Sequence, residues 1–431
     1  MSARRLIALL AAAGLALSGC TGSETPSPGG AASGSGAADA VPVGDPQDTS
    51  TDVAFTPCGA GGLACTGMLE GLPYEVRLPE TWNGSLLLYS HGLRRVDPAR
   101  DSEQPFTPRA EVALGEAVGF DLISRTLLKE GYALAGVGAP EGGWQVDGAL
   151  AGLGELRTAF VEQVGVPNRI LTWGDSLGAW VAVQAGQTEP WVNGSLGMCG
   201  LLGGLNPNMD LALDVGVAVK ALLAPELQLT GFSSAADARK EYERAMAAIT
   251  EAAADPSGAG LTALQVIAAV TATPTQSRMS AGIGAEALGA ALIENLGEGL
   301  ARTTLERFRV EESLGGNPST NVGVNYGERV TTEQAAAIDA GSTEGATLAL
   351  VRQIASLPPV EADPQARTAA DEEFPRPQAL AKPTLTLHTS VDPVAILPNE
   401  TLFSRWAAAA SGQDIRWLNV NVAYPPATYP E

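Results

Sequence analysis

The stretch that most limits what this chain can become is Arg169 to Gln187, RILTWGDSLGAWVAVQAGQ. Ile170 to Trp173 form a short apolar run of strand type and Leu177 to Gln184 have helix-compatible spacing, so Gly174-Asp175-Ser176-Leu177-Gly178 falls on a strand-to-helix corner. A serine on such a corner takes a strained backbone. The residues two before and two after it must be small so that the chain can pass close to itself, and Gly174 and Gly178 meet that need. In a chain with 50 glycines the same five residues also suit an ordinary turn, and it is the flanking strand and helix that favour a raised nucleophile.

The first residues carry a different signal. Arg4 and Arg5 precede a continuous apolar run from Leu6 to Leu17, too short for a stable membrane span and of the length and charge of a signal peptide over residues 1–19. Its end, Leu17-Ser18-Gly19-Cys20, resembles the bacterial lipoprotein lipobox, which implies lipidation of Cys20 and an extracytoplasmic protein anchored to the cell membrane. A plain secretory signal with an incidental cysteine is the alternative. Thr21 to Thr51 hold Gly, Ser, Pro, Ala and Asp with hardly a large apolar side chain, so residues 20–54 are expected to be a flexible tether.

Charge excludes one class of partner. With 26 Lys+Arg against 48 Asp+Glu the net charge is −22, and loss of Arg4 and Arg5 with the signal takes it to −24. Such a surface repels nucleic acid and anionic headgroups, so the expected partners are a small-molecule or peptide substrate and the membrane reached through Cys20. Of the four cysteines, Cys58 and Cys65 are close enough in an exported chain to close a small disulfide loop, which leaves Cys199 unpaired.

The order of elements implies a fold. Gly67 to Glu70, Tyr74 to Leu78 and Ser85 to Tyr89 read as strands, the last running into Ser90-His91-Gly92-Leu93. A helix over Phe120 to Glu130, a strand over Tyr132 to Val137, a helix over Val146 to Val164 and a strand over Arg169 to Trp173 follow. Alternation of strand and helix predicts a mostly parallel sheet covered by helices on both faces. The strand ending in His91-Gly92, the elements after it and the corner at Gly174 to Gly178 resemble the α/β-hydrolase superfamily, over about Gly67 to Leu205 and again from near Lys382.

After a strand over Ser195 to Leu202 the alternation stops. Leu211 to Leu223, Ala235 to Ala254, Leu261 to Ala272, Ala285 to Phe308 and Gln334 to Ile338 are Ala-rich with helical spacing, and Ser234 with Asp237 and Thr331 with Gln334 are capping-box pairs. The resemblance implies a helical cap, residues 206–378, between core segments 55–205 and 379–431. A separate helical domain with its own partner is the alternative. Glu361 to Pro377 reads as a Pro- and acid-rich return linker. Strands over Thr384 to His388 and Ile415 to Val422, and a helix over Leu397 to Ala410, complete the core.

A serine hydroxyl needs a base, a group that orients the base, and donors for the developing oxyanion. Ser176 is the candidate nucleophile. The resemblance implies Asp392, in the loop after the strand that follows the cap, as the acid, and the backbone N–H groups of Leu93 and Leu177 as oxyanion donors; Asp392-Pro393 also suits an ordinary turn. Trp144 either lines the acyl pocket or packs in the core.

The base is the difficulty. The two histidines, His91 and His388, both precede Asp392, whereas the superfamily's base lies after the last strand. Either the sequence stops short of a loop that carries the histidine, the favoured expectation, or this is a hydrolase fold without hydrolase chemistry. As it stands the polypeptide is expected to be strongly impaired, because loss of one triad member typically leaves about 10³ to 10⁴ of acceleration over water. Two isolated histidines without ligand spacing predict no metal site, and no Gly-rich phosphate loop is present, so no cofactor is expected. The resulting expectation is a lipid-anchored serine hydrolase acting on esters or amides of uncharged substrates. An exported serine peptidase and a non-catalytic binding lipoprotein are the alternatives.

Overall fold

The computed structural model describes residues 63–69, 72–93, 118–138, 143–144, 146–255, 257–276, 284–377, 380, 382–411 and 417–422. The readings placed on the signal peptide, Cys20, the tether and the Cys58–Cys65 pairing lie outside the described residues.

Eight strands form one sheet: β1 Leu63–Leu69, β2 Leu72–Leu78, β3 Ser85–Ser90, β4 Ala133–Val137, β5 Arg169–Asp175, β6 Gly194–Met198, β7 Thr384–Thr389 and β8 Trp417–Val422, in the order β1-β2-β4-β3-β5-β6-β7-β8. The β1–β2 and β2–β4 pairings are antiparallel and all the others parallel. A parallel strand buried on both faces is a continuous apolar run, and SLLLYS in β3 is buried at all six positions. Ser90 pairs with Gly174, Asp175 with Met198, and Met198 with Leu387, so the carboxyl ends of β3, β5, β6 and β7 lie along one edge.

Helices α1 Val118–Lys129, α2 Asp147–Gln163 and α3 Leu177–Thr188 alternate with these strands as the apolar spacing predicts. One apolar cluster joins Leu86 and Leu88 to Leu156, Phe160 and Trp180 of α2 and α3, and a second joins Leu87, Tyr89, Trp173 and Leu387 to Ile123 of α1. Two features at Cys199 differ from expectation. β6 ends at Met198 rather than Leu202 because Cys199 turns the chain with φ 44°. Cys199, expected to be unpaired, is disulfide-bonded, so with four cysteines in the chain a lipidated Cys20 and a Cys58–Cys65 pair cannot both hold.

Between β6 and β7 lie α4 Leu205–Leu222, α5 Ala235–Ala254, α6 Ala259–Thr271, α7 Ala285–Ala301, a π-helical turn Arg302–Glu306, α8 Arg307–Leu314, a 3₁₀ turn Tyr326–Arg329, α9 Thr332–Ala340, α10 Ala346–Ala355 and α11 Pro364–Glu373. They enclose a core of their own, with Leu213, Ile249, Leu264, Leu292 and Val351 buried together. Met209, Val310 and Phe374 from the same segment pack instead into the cluster beside the sheet.

Thr331 and Gln334 make the full capping box, whereas Ser234 accepts from the Asp237 N–H and Asp237 turns to Ser233. The helix expected over Ala285 to Phe308 is broken by the π turn, where Thr303 Oγ1 donates to the carbonyls of both Gly299 and Ala212. The expected linker contains α11. Pro364 starts this helix rather than breaking one, since Asp363 accepts from the N–H groups of Gln365 and Ala366 at 2.9 and 3.1 Å and the missing proline N–H is not needed there. Arg367 of α11 then grips Asp210 of α4 through two bonds of 3.0 and 2.9 Å, tying the end of the insertion to its beginning.

A final core helix, α12 Pro398–Ser411, follows the β7 loop. Asn399 on it accepts from Gly203 N–H at 3.0 Å and from Asn208 Nδ2 at 2.8 Å, and donates to Asn208 Oδ1 at 3.1 Å. This buried amide pair fixes the root of the helical insertion to the segment that carries Asp392. None of the described helices is long and apolar enough to cross a membrane.

Candidate active site

β5 delivers Ser176 to the carboxyl edge of the sheet and α3 leaves from the next residue. Ser176 has φ 51° and ψ −118°, a conformation L-residues rarely hold unless the surroundings impose it. They do so here. The Ser176 N–H donates to the Met198 carbonyl and its own carbonyl accepts from Leu201 N–H, both at 3.0 Å. A Cβ on Gly174 would fall 2.5 Å from Ser90 O, and one on Gly178 would fall 2.4 Å from His91 O, so both glycines are required by the close passage of the β3 end.

That passage brings the His91-Gly92-Leu93 turn against the serine. A Cβ on Gly92 would lie 3.0 Å from Ser176 Cβ and 2.8 Å from Asp175 Oδ2. Leu93 and Leu177 are both buried, and the Leu177 N–H is the first amide of α3, which no helical carbonyl can use. Beneath the serine, the Tyr89 hydroxyl donates to Asp175 Oδ1, and the Tyr89 and Trp173 rings pack at 5.0 Å. Sequence reasoning missed this Tyr89–Asp175 contact. Its only advance signal was an acid inside the glycine-serine motif.

Asp392 lies in the loop after β7, two strands from β5 on the same edge, about 10 Å across at the usual strand spacing. It is 3% exposed, and its Oδ1 accepts from the N–H groups of Val394 and Ala395 at 2.8 and 2.9 Å. These bonds fix the carboxylate in place, and they are also what an aspartate in a turn would make. The structure therefore brings Ser176, Leu177 and the Leu93 turn into contact and sets Asp392 along the same edge.

The histidines are placed differently. His91 Nδ1 faces the Gly92 carbonyl at 2.8 Å, and His388, fully buried on β7, turns Nδ1 to the Thr389 carbonyl at 2.7 Å.

Trp144, after β4, is 6% exposed and faces the insertion. Its ring meets Phe374 edge-on at 5.9 Å, its N–H donates to Glu306 at 3.3 Å, and the Arg302 guanidinium lies 5.6 Å above it. Arg302 bonds Glu306 through Nε at 3.2 Å and the Val394 carbonyl through Nη1 at 2.9 Å. The π turn thus covers the strand edge between Trp144 and the Asp392 loop. Arg302 and Glu306 gave no usable signal in the sequence, being one charged pair at helical spacing among many. No group of three or more His, Cys, Asp or Glu able to hold a metal occurs among the described residues.

Comparison with known proteins gives a consistent but shallow picture. No family model matches the chain. A curated relative, "o-phthalyl amidase" of Xanthobacter agilis, is 32% identical over 117 residues, 26% of this chain; the match spans only 21% of that relative. Similar solved structures include an esterase from Aspergillus oryzae (11% identity, 84% of this chain and 72% of that one, TM-score 0.37). Another is a proline iminopeptidase-related protein from Thermus thermophilus (11% identity, 84% and 89%, TM-score 0.34). These likenesses are too distant to transfer an activity.

The strand order and directions, the serine corner between β5 and α3, and the helical insertion between β6 and β7 are features of the molecule itself. By them the chain has the α/β-hydrolase fold.

Proposed function

We propose that the protein is a serine hydrolase that cleaves ester or amide bonds of uncharged substrates through an acyl-enzyme on Ser176. The observation that carries this reading is the backbone of Ser176, φ 51° and ψ −118°, held by glycines on both sides at the carboxyl edge of the sheet. A strained backbone on a serine at a strand-to-helix corner supports a hydroxyl raised for attack. Attack on a carbonyl places the oxyanion between the N–H groups of Leu177 and Leu93, and Asp392 orients the imidazole that takes the serine proton. Trp144 lines the acyl side. The proposal leaves that imidazole unassigned, and includes strong impairment of a chain that lacks it. The amidase among the relatives supports including amides.

We further propose export and lipid anchoring at Cys20, supported by Arg4, Arg5, the apolar run to Leu17 and the Leu17-Ser18-Gly19-Cys20 ending. A panel of uncharged aryl esters, anilides and short peptides, each measured against Ser176→Ala, tests the activity. Turnover lost in the variant supports the reading and ranks esters against amides and peptides. Turnover equal in both proteins would refute it. A binding lipoprotein is the second reading, favoured by the turn-type bonds of Asp392 and by histidines facing backbone carbonyls.

A further inference from the structure

We infer that Arg302 is a positioning residue for Asp392, acting through the peptide unit between Val394 and Ala395. This rests on the reading of Asp392 as the acid of a serine hydrolase. The carbonyl of that peptide accepts from Arg302 Nη1 at 2.9 Å, and the N–H of the same peptide donates to Asp392 Oδ1 at 2.9 Å. A cation at the oxygen end of an amide draws electron density along it, which makes the N–H at the other end a stronger donor to a carboxylate. Arg302 is 6% and Asp392 3% exposed, so little water screens the effect.

The arrangement fixes Arg302 in one pose. Its Nε bonds Glu306 at 3.2 Å, Glu306 also receives the Trp144 N–H at 3.3 Å, and the Trp144 ring lies beneath the guanidinium. Residues 302 and 306 are the first and last of the π turn, a helical irregularity that recurs at functional sites. The helical insertion and the acid loop are therefore joined at one guanidinium: seating the π turn on Trp144 sets the posture of Asp392. A plain ion pair tying two segments would need no contact with this particular peptide.

The test measures the rate at which a fluorophosphonate labels Ser176 in the full-length protein, with folding of each variant checked by circular dichroism. Arg302→Met should slow labelling about tenfold, and Arg302→Lys should recover most of the loss. Arg302→Met leaves Glu306 buried opposite a neutral partner, so Arg302→Met/Glu306→Gln repeats the comparison without that burden. In an Asp392→Asn background, where labelling is slow but supported by the oxyanion donors, Arg302→Met should change the rate by less than about twofold. An unchanged rate in Arg302→Met, or an equal loss with and without Asp392, overturns the inference and leaves the hydrolase reading standing. A folded protein that carries the base histidine and is not labelled at all overturns both.

Discussion

A methyl group on the α-carbon of Gly178 would sit 2.1 Å from the carbonyl oxygen of Ser90, closer than any real Cβ approaches an oxygen. The end of β3 and the start of α3 are pressed together at this point, and the pressure holds the Ser176 backbone. Gly178→Ala should therefore cost roughly 3 kcal/mol or more and displace the serine corner. Urea unfolding measures the cost. A loss under about 0.5 kcal/mol, the range of ordinary surface changes, would show that the corner is not held this way.

Tyr89 donates to Asp175 directly under the nucleophile. Tyr89→Phe removes one donor from a buried carboxylate while keeping the ring against Trp173, and should cost about 1 to 3 kcal/mol. Because the loss falls beneath Ser176, labelling of the serine should slow as well. Unaltered stability and labelling together would contradict the role given to this contact.

Asn208 and Asn399 bond each other in both directions while 1% exposed each. Asn399→Ala would leave Asn208 Oδ1 and the Gly203 N–H without the partners that Asn399 supplies, while Asn208 Nδ2 keeps the Gly204 carbonyl, at a cost of about 2 to 4 kcal/mol. The break lies at the root of the insertion, so hydrogen exchange should rise in α4 before it rises in β5. Uniform loss of protection across the sheet would argue against a local hinge.

Glu373, at the end of α11, is partly buried near Asp147, and desolvation first, then that neighbouring negative charge, push its carboxyl up to about 7 from 4.5. The folded form then binds a proton that the unfolded chain has released between these values, so this group's contribution to stability is greatest below about 4.5, falls as the pH rises to about 7, and is level above. Glu373→Gln should remove the fall, raising stability at pH 8 by about 1 kcal/mol after allowance for solvent screening, and changing little at pH 4.5. Thermal denaturation at the two pH values checks the sign.

The corner at Ser176 is legible in the sequence because its rule is local: an apolar strand, two glycines at fixed offsets and a helix, all within nineteen residues of Arg169 to Gln187. The mostly parallel sheet is legible too, because alternation of strand and helix is read directly along the chain. Pro364 misleads because one residue type both stops and starts helices, and only the Asp363 cap decides which. The partners of Arg302 are hidden by distance along the chain, 92 residues to Val394, and Trp144 lies 162 residues from Glu306. The turn at Cys199 belongs to a different kind of gap, since a positive φ on a cysteine has no compositional mark.

Reacting the folded, full-length protein with a fluorophosphonate and mapping the adduct by peptide mass spectrometry tests the central claim most directly. The account predicts one modified residue, Ser176, and no adduct in Ser176→Ala. An adduct that survives this substitution would contradict it, as would a folded protein that carries the base histidine and stays unmodified.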